Sequence, residues 1–228
     1  MNEPVILTYF AQNADATHLA YLKDERIGVQ RSWRLARYSK AFPVIYESRD
    51  PEQAGIVELV DDIKLYNSRL VLLHFSSHAG RDEILLQQGT AYSSGIAGYL
   101  RDNATNLKVV VLNGCSTAGQ VDTLFAQGQS IQAVVATHCP ISDARARDFA
   151  IAFHQKLSES NTTIRQAYKE GLNAVRIKNR VTNFLRSAPE HDGDETIWRS
   201  LRTTPANENT WGLFVREGGP YPSATSSK

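Results

Sequence analysis

Between positions 107 and 113 the chain reads LKVVVLN, a β-branched run with no charge after Lys108. Such a run offers no polar face to water, so it needs cover on both sides of the pleat. A parallel sheet held between two layers of helices meets that need, and the rest of the sequence has the matching rhythm. Residues 4–10 (PVILTYF), 41–46, 69–77 (RLVLLHFSS), 131–137 and 211–215 (WGLFV) read as further strands. Leu19, Leu22, Ile27, Val29 and Trp33 mark a helix over residues 15–36. Ile56, Leu59, Val60, Ile63 and Leu65 mark a second, entered through Asp50-Pro51-Glu52 with proline in its first turn. Residues 83–91, with Gly89 near the middle, read as a hairpin leading into a helix through Tyr99 and Leu100. More helices are expected over residues 121–128, from Asp143 through Phe149, Phe153 and Leu157, and over residues 164–185. Strands alternating with helices imply an α/β fold, a three-layer α/β/α sandwich around a mostly parallel sheet.

A length of 228 residues suits one such domain and can bury a sizeable core. Hydrophobic residues at 42% and charged residues at 21% place the chain among globular proteins rather than disordered ones. Its 25 Lys and Arg nearly balance 24 Asp and Glu, which leaves no basic excess for neutralising phosphates. Directly bound nucleic acid is therefore not expected. Met1-Asn2-Glu3-Pro4 is not a basic segment leading into an apolar one, and no apolar run approaches the roughly 20 residues that cross a bilayer. The expectation is a cytoplasmic protein without membrane contact. The two cysteines cannot build a disulfide framework, and no His/Cys cluster stands at metal-ligand spacing, so no metal or other cofactor is expected. Residues 187–209 have the composition of an exposed loop. Residues 218–228, rich in Gly, Pro and Ser, read as a linker-like tail after a domain of residues 1–217.

In open parallel sheets the chemistry sits beyond the carboxyl ends of the strands. His78 and Cys115 each follow the last residue of a predicted strand, so if those strands are neighbours the imidazole and thiol share one edge. A thiol with its usual pKa of ~8.5 is a poor nucleophile at neutral pH, and a nearby imidazole can take its proton and later protonate a leaving amine. Gly80 and Gly114, lacking a Cβ, let main-chain N–H groups approach a substrate carbonyl and stabilise an oxyanion. His74, inside its strand, reads as a core histidine, Cys139 as structural, and the Ser116 and Thr117 hydroxyls as turn formers. Asp143 reads as an N-cap or first-turn residue of the helix that follows, and Ser142-Asp143 as ordinary capping chemistry.

The segments LHFSSHAG (73–80) and VVLNGCSTAG (110–119) resemble the paired motifs of caspase-like cysteine peptidases, and within them the CHAT family. There, one strand ends in His-small-Gly and a later one in Cys followed by small residues. The resemblance runs from the first strand to about Gly219 and implies a caspase-like fold, a Cys115–His78 dyad and a protein substrate. CHAT domains usually work as effectors switched on by a sensor protein or domain in bacterial defence or stress systems, so an activating partner is implied too. The Gln-Ala-Cys-x-Gly signature of true caspases is absent, so Asp-directed cleavage is not implied. In separase, a relative of CHAT proteins, the segment matching Ser142-Asp143 places an acid in the pocket for a basic P1 side chain. Asp143 thus has a second reading as a substrate contact. Two rivals remain: a silent caspase-like adaptor, against which both dyad residues weigh, and an anion-binding loop over residues 114–119. That loop lacks the Lys or Arg of phosphate-binding loops.

Overall fold

Val5–Ala11 (β1) is buried over its whole length, which only an interior strand covered on both faces can be. The computed structural model describes residues 3–38, 44–138, 140–160, 162–182 and 213–215. After β1 come the helix Leu22–Tyr38 (α1), the strand Ile45–Arg49 (β2), the helix Ile56–Tyr66 (α2) and the strand Leu70–Ser77 (β3). A small antiparallel hairpin, Glu83–Leu85 (β4) with Thr90–Tyr92 (β5), turns at Gly89, whose φ of +87° suits glycine. Ser93–Asn103 (α3), Val109–Asn113 (β6), Val121–Gln127 (α4) and Ala133–Val135 (β7) follow. Asp143–Leu157 (α5), Ile164–Thr182 (α6) and Leu213–Val215 (β8) complete the order. The main sheet runs β2-β1-β3-β6-β7-β8, parallel throughout except for β8 against β7.

Alternation along β1 assigns the two faces. Leu7 and Tyr9 join Leu59, Ile63, Leu100 and Leu124 under α2, α3 and α4, while Ile6 and Phe10 join Val29, Trp33, Phe149, Phe153 and Tyr168 under α1, α5 and α6. Phe149 and Phe153 are fully buried, a transfer contribution of about 1.5–3 kcal/mol each.

Several boundaries differ from the periodicity. Helix α1 starts at Leu22 rather than near Asp15, because the Gln12 and Asn13 side chains bond local backbone and hold residues 12–21 as a loop. Pro51 does not start α2: Gln53 N donates to Asp50 O at 2.9 Å, closing a turn with proline at its second position, and α2 begins after Gly55. Strand β2 sits at Ile45–Arg49 because its pairing with β1 starts at Val5 opposite Ile45; residues 41–43 of the expected strand lie outside the described residues. So do residues 183–185 of the last expected helix, the loop over 187–209, Trp211-Gly212, the expected domain end at 217, the tail and Cys139. No described helix is long and apolar enough to cross a membrane.

His74 lies in the core as read from the sequence, but in company. Trp33 Nε1–H can only donate, so His154 Nδ1, 3.0 Å away, accepts. Neutral His154 then carries its proton on Nε2 and donates to His74 Nδ1 at 2.7 Å. Burial, then the neighbouring His74, pushes the His154 pKa well below 6.5. Below pH 6.5 the unfolded chain therefore binds a proton that the folded chain refuses. Stability is full above that pH and falls beneath it, by up to ~1.4 kcal/mol per pH unit until the folded pKa is reached. Urea midpoints taken from pH 7 to pH 5 are expected to fall more steeply for wild type than for His154→Gln, and parallel profiles would refute this assignment.

Candidate active site at the carboxyl edge of the sheet

The parallel ladder between β3 and β6 pairs His74 with Val111 and Ser76 with Asn113. Continuing that register by two residues sets His78 beside Cys115, and paired residues of parallel strands project to the same face. Both side chains line one small cavity of about 50 Å³ with Leu19, Asn113, Ile141 and Asp143. Both are partly exposed. Two glycines allow this closeness. A Cβ on Gly114 would sit 2.7 Å from Ala79 Cβ and 2.7 Å from Ser77 O, and one on Gly119 would sit 2.7 Å from Arg81 O. Gln120 Nε2 adds bonds to Gly80 O at 2.9 Å and Glu83 O at 3.0 Å, tying the segment after Cys115 to the segment after His78.

His78 Nε2 lies 2.6 Å from Thr17 O. A carbonyl only accepts, so this nitrogen carries the proton and the basic lone pair is on Nδ1. The Cys115 thiol faces Ile141 O at 3.7 Å. Ser116, immediately after it, holds a left-handed φ of 56°, which turns the chain sharply into the short helical turn Thr117–Gln120. No bond to a described residue engages the N–H of Cys115 or Ala79, whereas Gly80 N–H donates to Glu83 O at 2.9 Å. Behind the pair, Asn113 Nδ2 donates to Glu25 Oε1 at 2.8 Å and Ala146 O at 3.1 Å, linking the end of β6 to α1 and α5.

Asp143 is not the cap of α5. Ser142 is, its hydroxyl accepting from Arg145 N at 3.4 Å. Asp143, in the first turn, accepts instead from Tyr21 N at 2.7 Å, and Arg147 stacks over the Tyr21 ring at 4.4 Å. Together they fasten the loop that carries Thr17 and Leu19 onto α5. Sequence reasoning did not single out the Thr17 carbonyl or the Ala79 N–H, since a main-chain group leaves no residue-type signal. Among the described residues no group of three or more His, Cys, Asp or Glu is placed to hold a metal ion.

The close approach at Gly114 makes a test of the site's assembly. Gly114→Ala is expected to force the two segments apart and cost about 1–3 kcal/mol. Gly95→Ala in α3, where a Cβ meets nothing within 4 Å, should be neutral or stabilising by up to about 1 kcal/mol. Equal melting temperatures for the two variants would contradict the packing described.

No protein-family model matches the chain, and no curated protein sequence matches it. Solved structures do. The Arg specific cysteine proteinase gingipain R is similar over 98% of this chain and 47% of its own, with a TM-score of 0.59 at 11% identity. The complex of Porphyromonas gingivalis RgpB pro- and mature domains is similar over 94% of this chain and 47% of its own, with a TM-score of 0.55 at 10% identity. The Drosophila initiator caspase Dronc gives a TM-score of 0.46 at 9% identity, over 82% and 75% of the two chains. This chain thus spans about half the length of the gingipain structures. At such identities the gingipain likenesses establish architecture alone: the chain shares their α/β fold, a mostly parallel sheet between layers of helices.

Proposed function

We propose that the chain is a caspase-like cysteine endopeptidase of the CHAT type, with Cys115 as nucleophile and His78 as base. The observation that supports this is the β3–β6 register, which brings the carboxyl ends of the two strands together, with His78 and Cys115 both lining the cavity there. With Nε2–H committed to Thr17 O, His78 Nδ1 is the nitrogen left to take the Cys115 proton. The thiolate adds to the scissile carbonyl, His78 returns the proton to the departing amine, and water then releases the acyl group. Charge on the carbonyl oxygen would be met by main-chain N–H groups at Cys115 and Ala79. Gly114 admits that backbone by its lack of a Cβ, while Gly80 serves the loop through its bond to Glu83.

The CHAT resemblance carries the biological half of the proposal, an effector switched on by a sensor protein or domain in a bacterial defence or stress system, acting in the cytoplasm on a protein substrate. A cavity of about 50 Å³ supports the need for activation, since peptide and ligand pockets run to roughly 300 Å³ and above. The loop over residues 12–21 must move before a peptide can enter. Basal cleavage of short peptides by the purified chain is therefore expected to be slow.

Cys115→Ala and His78→Ala are each expected to lower that cleavage by at least ~10³-fold with unchanged melting temperature, and the double variant to be little worse, because the pair acts as one unit. A single variant with full activity would remove the mechanism.

The P1 preference is proposed to be Arg or Lys. Asp143 reaches the cavity, and its Oδ1 makes no bond to a described residue. Asp143→Asn keeps an oxygen for Tyr21 N–H but loses the charge, so loop and stability should hold while preference for a basic P1 collapses on a P1-varied peptide library. Retained basic preference, or an apolar P1 in wild type, would return Asp143 to fastening the loop.

A further inference from the structure

Two buried threonines lie under the nucleophile turn, and their hydrogen bonds determine every proton among them. Thr137 Oγ1 contacts Gly114 O and receives Thr117 N–H at 3.3 Å. Thr117 Oγ1 contacts Leu112 O at 3.1 Å and receives Thr137 N–H at 2.9 Å. Carbonyl oxygens only accept and amides only donate, so each hydroxyl gives its proton to a carbonyl and takes one from an amide. The two hydroxyls, 3.4 Å apart, have no proton left for one another. Both residues are at most 1% exposed, and Ala118 N donates to Thr137 O at 2.8 Å, so the clamp is buried away from bulk solvent.

We infer that Thr137 is a positioning residue for the proposed peptidase reaction, its hydroxyl turning the Gly114–Cys115 peptide so that the Cys115 N–H faces the developing oxyanion. The inference rests on the peptidase reading. A trans peptide is planar with C=O and N–H pointing oppositely, and the described chain has no cis bond. The Gly114 carbonyl is drawn towards Thr137, which follows β7. The Cys115 N–H must then point to the other side of β6, where β3 and the Ala79 N–H lie. That N–H, like the one at Ala79, makes no bond to a described residue. Removal of the hydroxyl would let the peptide rotate, and the donor would leave the oxyanion while the thiol stayed in place.

The test compares wild type with Thr137→Val, which is close in shape but cannot donate, and Thr137→Ser, which keeps the hydroxyl. Cleavage of the fastest peptide from the P1 library is measured against Cys115→Ala as background. Thr137→Val is expected to lose at least ~10-fold in kcat with KM within about twofold, since a mispointed oxyanion donor weakens transition-state binding alone. Thr137→Ser is expected to recover most of it. Alkylation of Cys115 by iodoacetamide forms a sulfur–carbon bond and expels iodide with no oxyanion, so its rate should be the same in all three. If Thr137→Val does not fold, Thr137→Ala makes the same comparison. Unchanged kcat in the hydroxyl-free variant, or alkylation falling in step with kcat, or no recovery in Thr137→Ser, would overturn the role of Thr137. Wild type with no Cys115-dependent cleavage would overturn the peptidase reading itself.

Discussion

The parallel pairing of β3 with β6 is the constraint on which the candidate site depends. With Ser76 opposite Asn113, the next outward-stepping residues on the same face are His78 and Cys115. A slip of one residue in either strand would send one of the two side chains to the opposite face of the sheet, under different helices. The register is in turn held by burial, because Leu72, Val109 and Val111 on one face and Leu73, Phe75, Val110 and Leu112 on the other each have a helix layer to meet.

The polar groups that run down this face are part of the same device. His74, Ser76 and Asn113 lie between the apolar core and the site, and α1 and α5 supply Glu25 and His154 to meet them. A buried unpaired carboxylate or imidazole would be costly, so these contacts restrict how α1 and α5 can sit on the sheet. Helix α5, capped by Ser142, brings Asp143 and Ala146 to the far wall of the cavity. Placement of a remote helix thereby becomes placement of Asp143 near Cys115.

The loop over residues 12–21 links access to chemistry. It holds the proton-bearing nitrogen of His78 through Thr17 O, presents Leu19 to the cavity, and is fastened by Asp143 at Tyr21. Loop geometry, cavity size and imidazole orientation are therefore coupled. Movement that opened the cavity by shifting Thr17 would also change the support of His78.

Much of this was legible in the chain itself. LKVVVLN and RLVLLHFSS read as buried strands, since each is a mostly apolar, β-branched or leucine-rich run, and the positions of His78 and Cys115 after them followed from adjacency in sequence. The hairpin was marked by Gly89, and α5 by Ser142-Asp143. Local signals failed where a side chain chose a tertiary partner over its own segment. Leu19 continues a helical period yet lines a cavity, and Asp143 has the look of a cap yet accepts from Tyr21. Pro51, well suited to a first helical turn, closes a β-turn instead. Sequence by itself determined which residues had to be buried and what followed each strand, because periodicity and burial are properties of short segments. Only the tertiary structure decided that β3 lies against β6, that Thr17 O reaches His78 and that Thr137 holds Gly114, because these bonds join main-chain groups or hydroxyls between segments whose identities carry no trace of their partners.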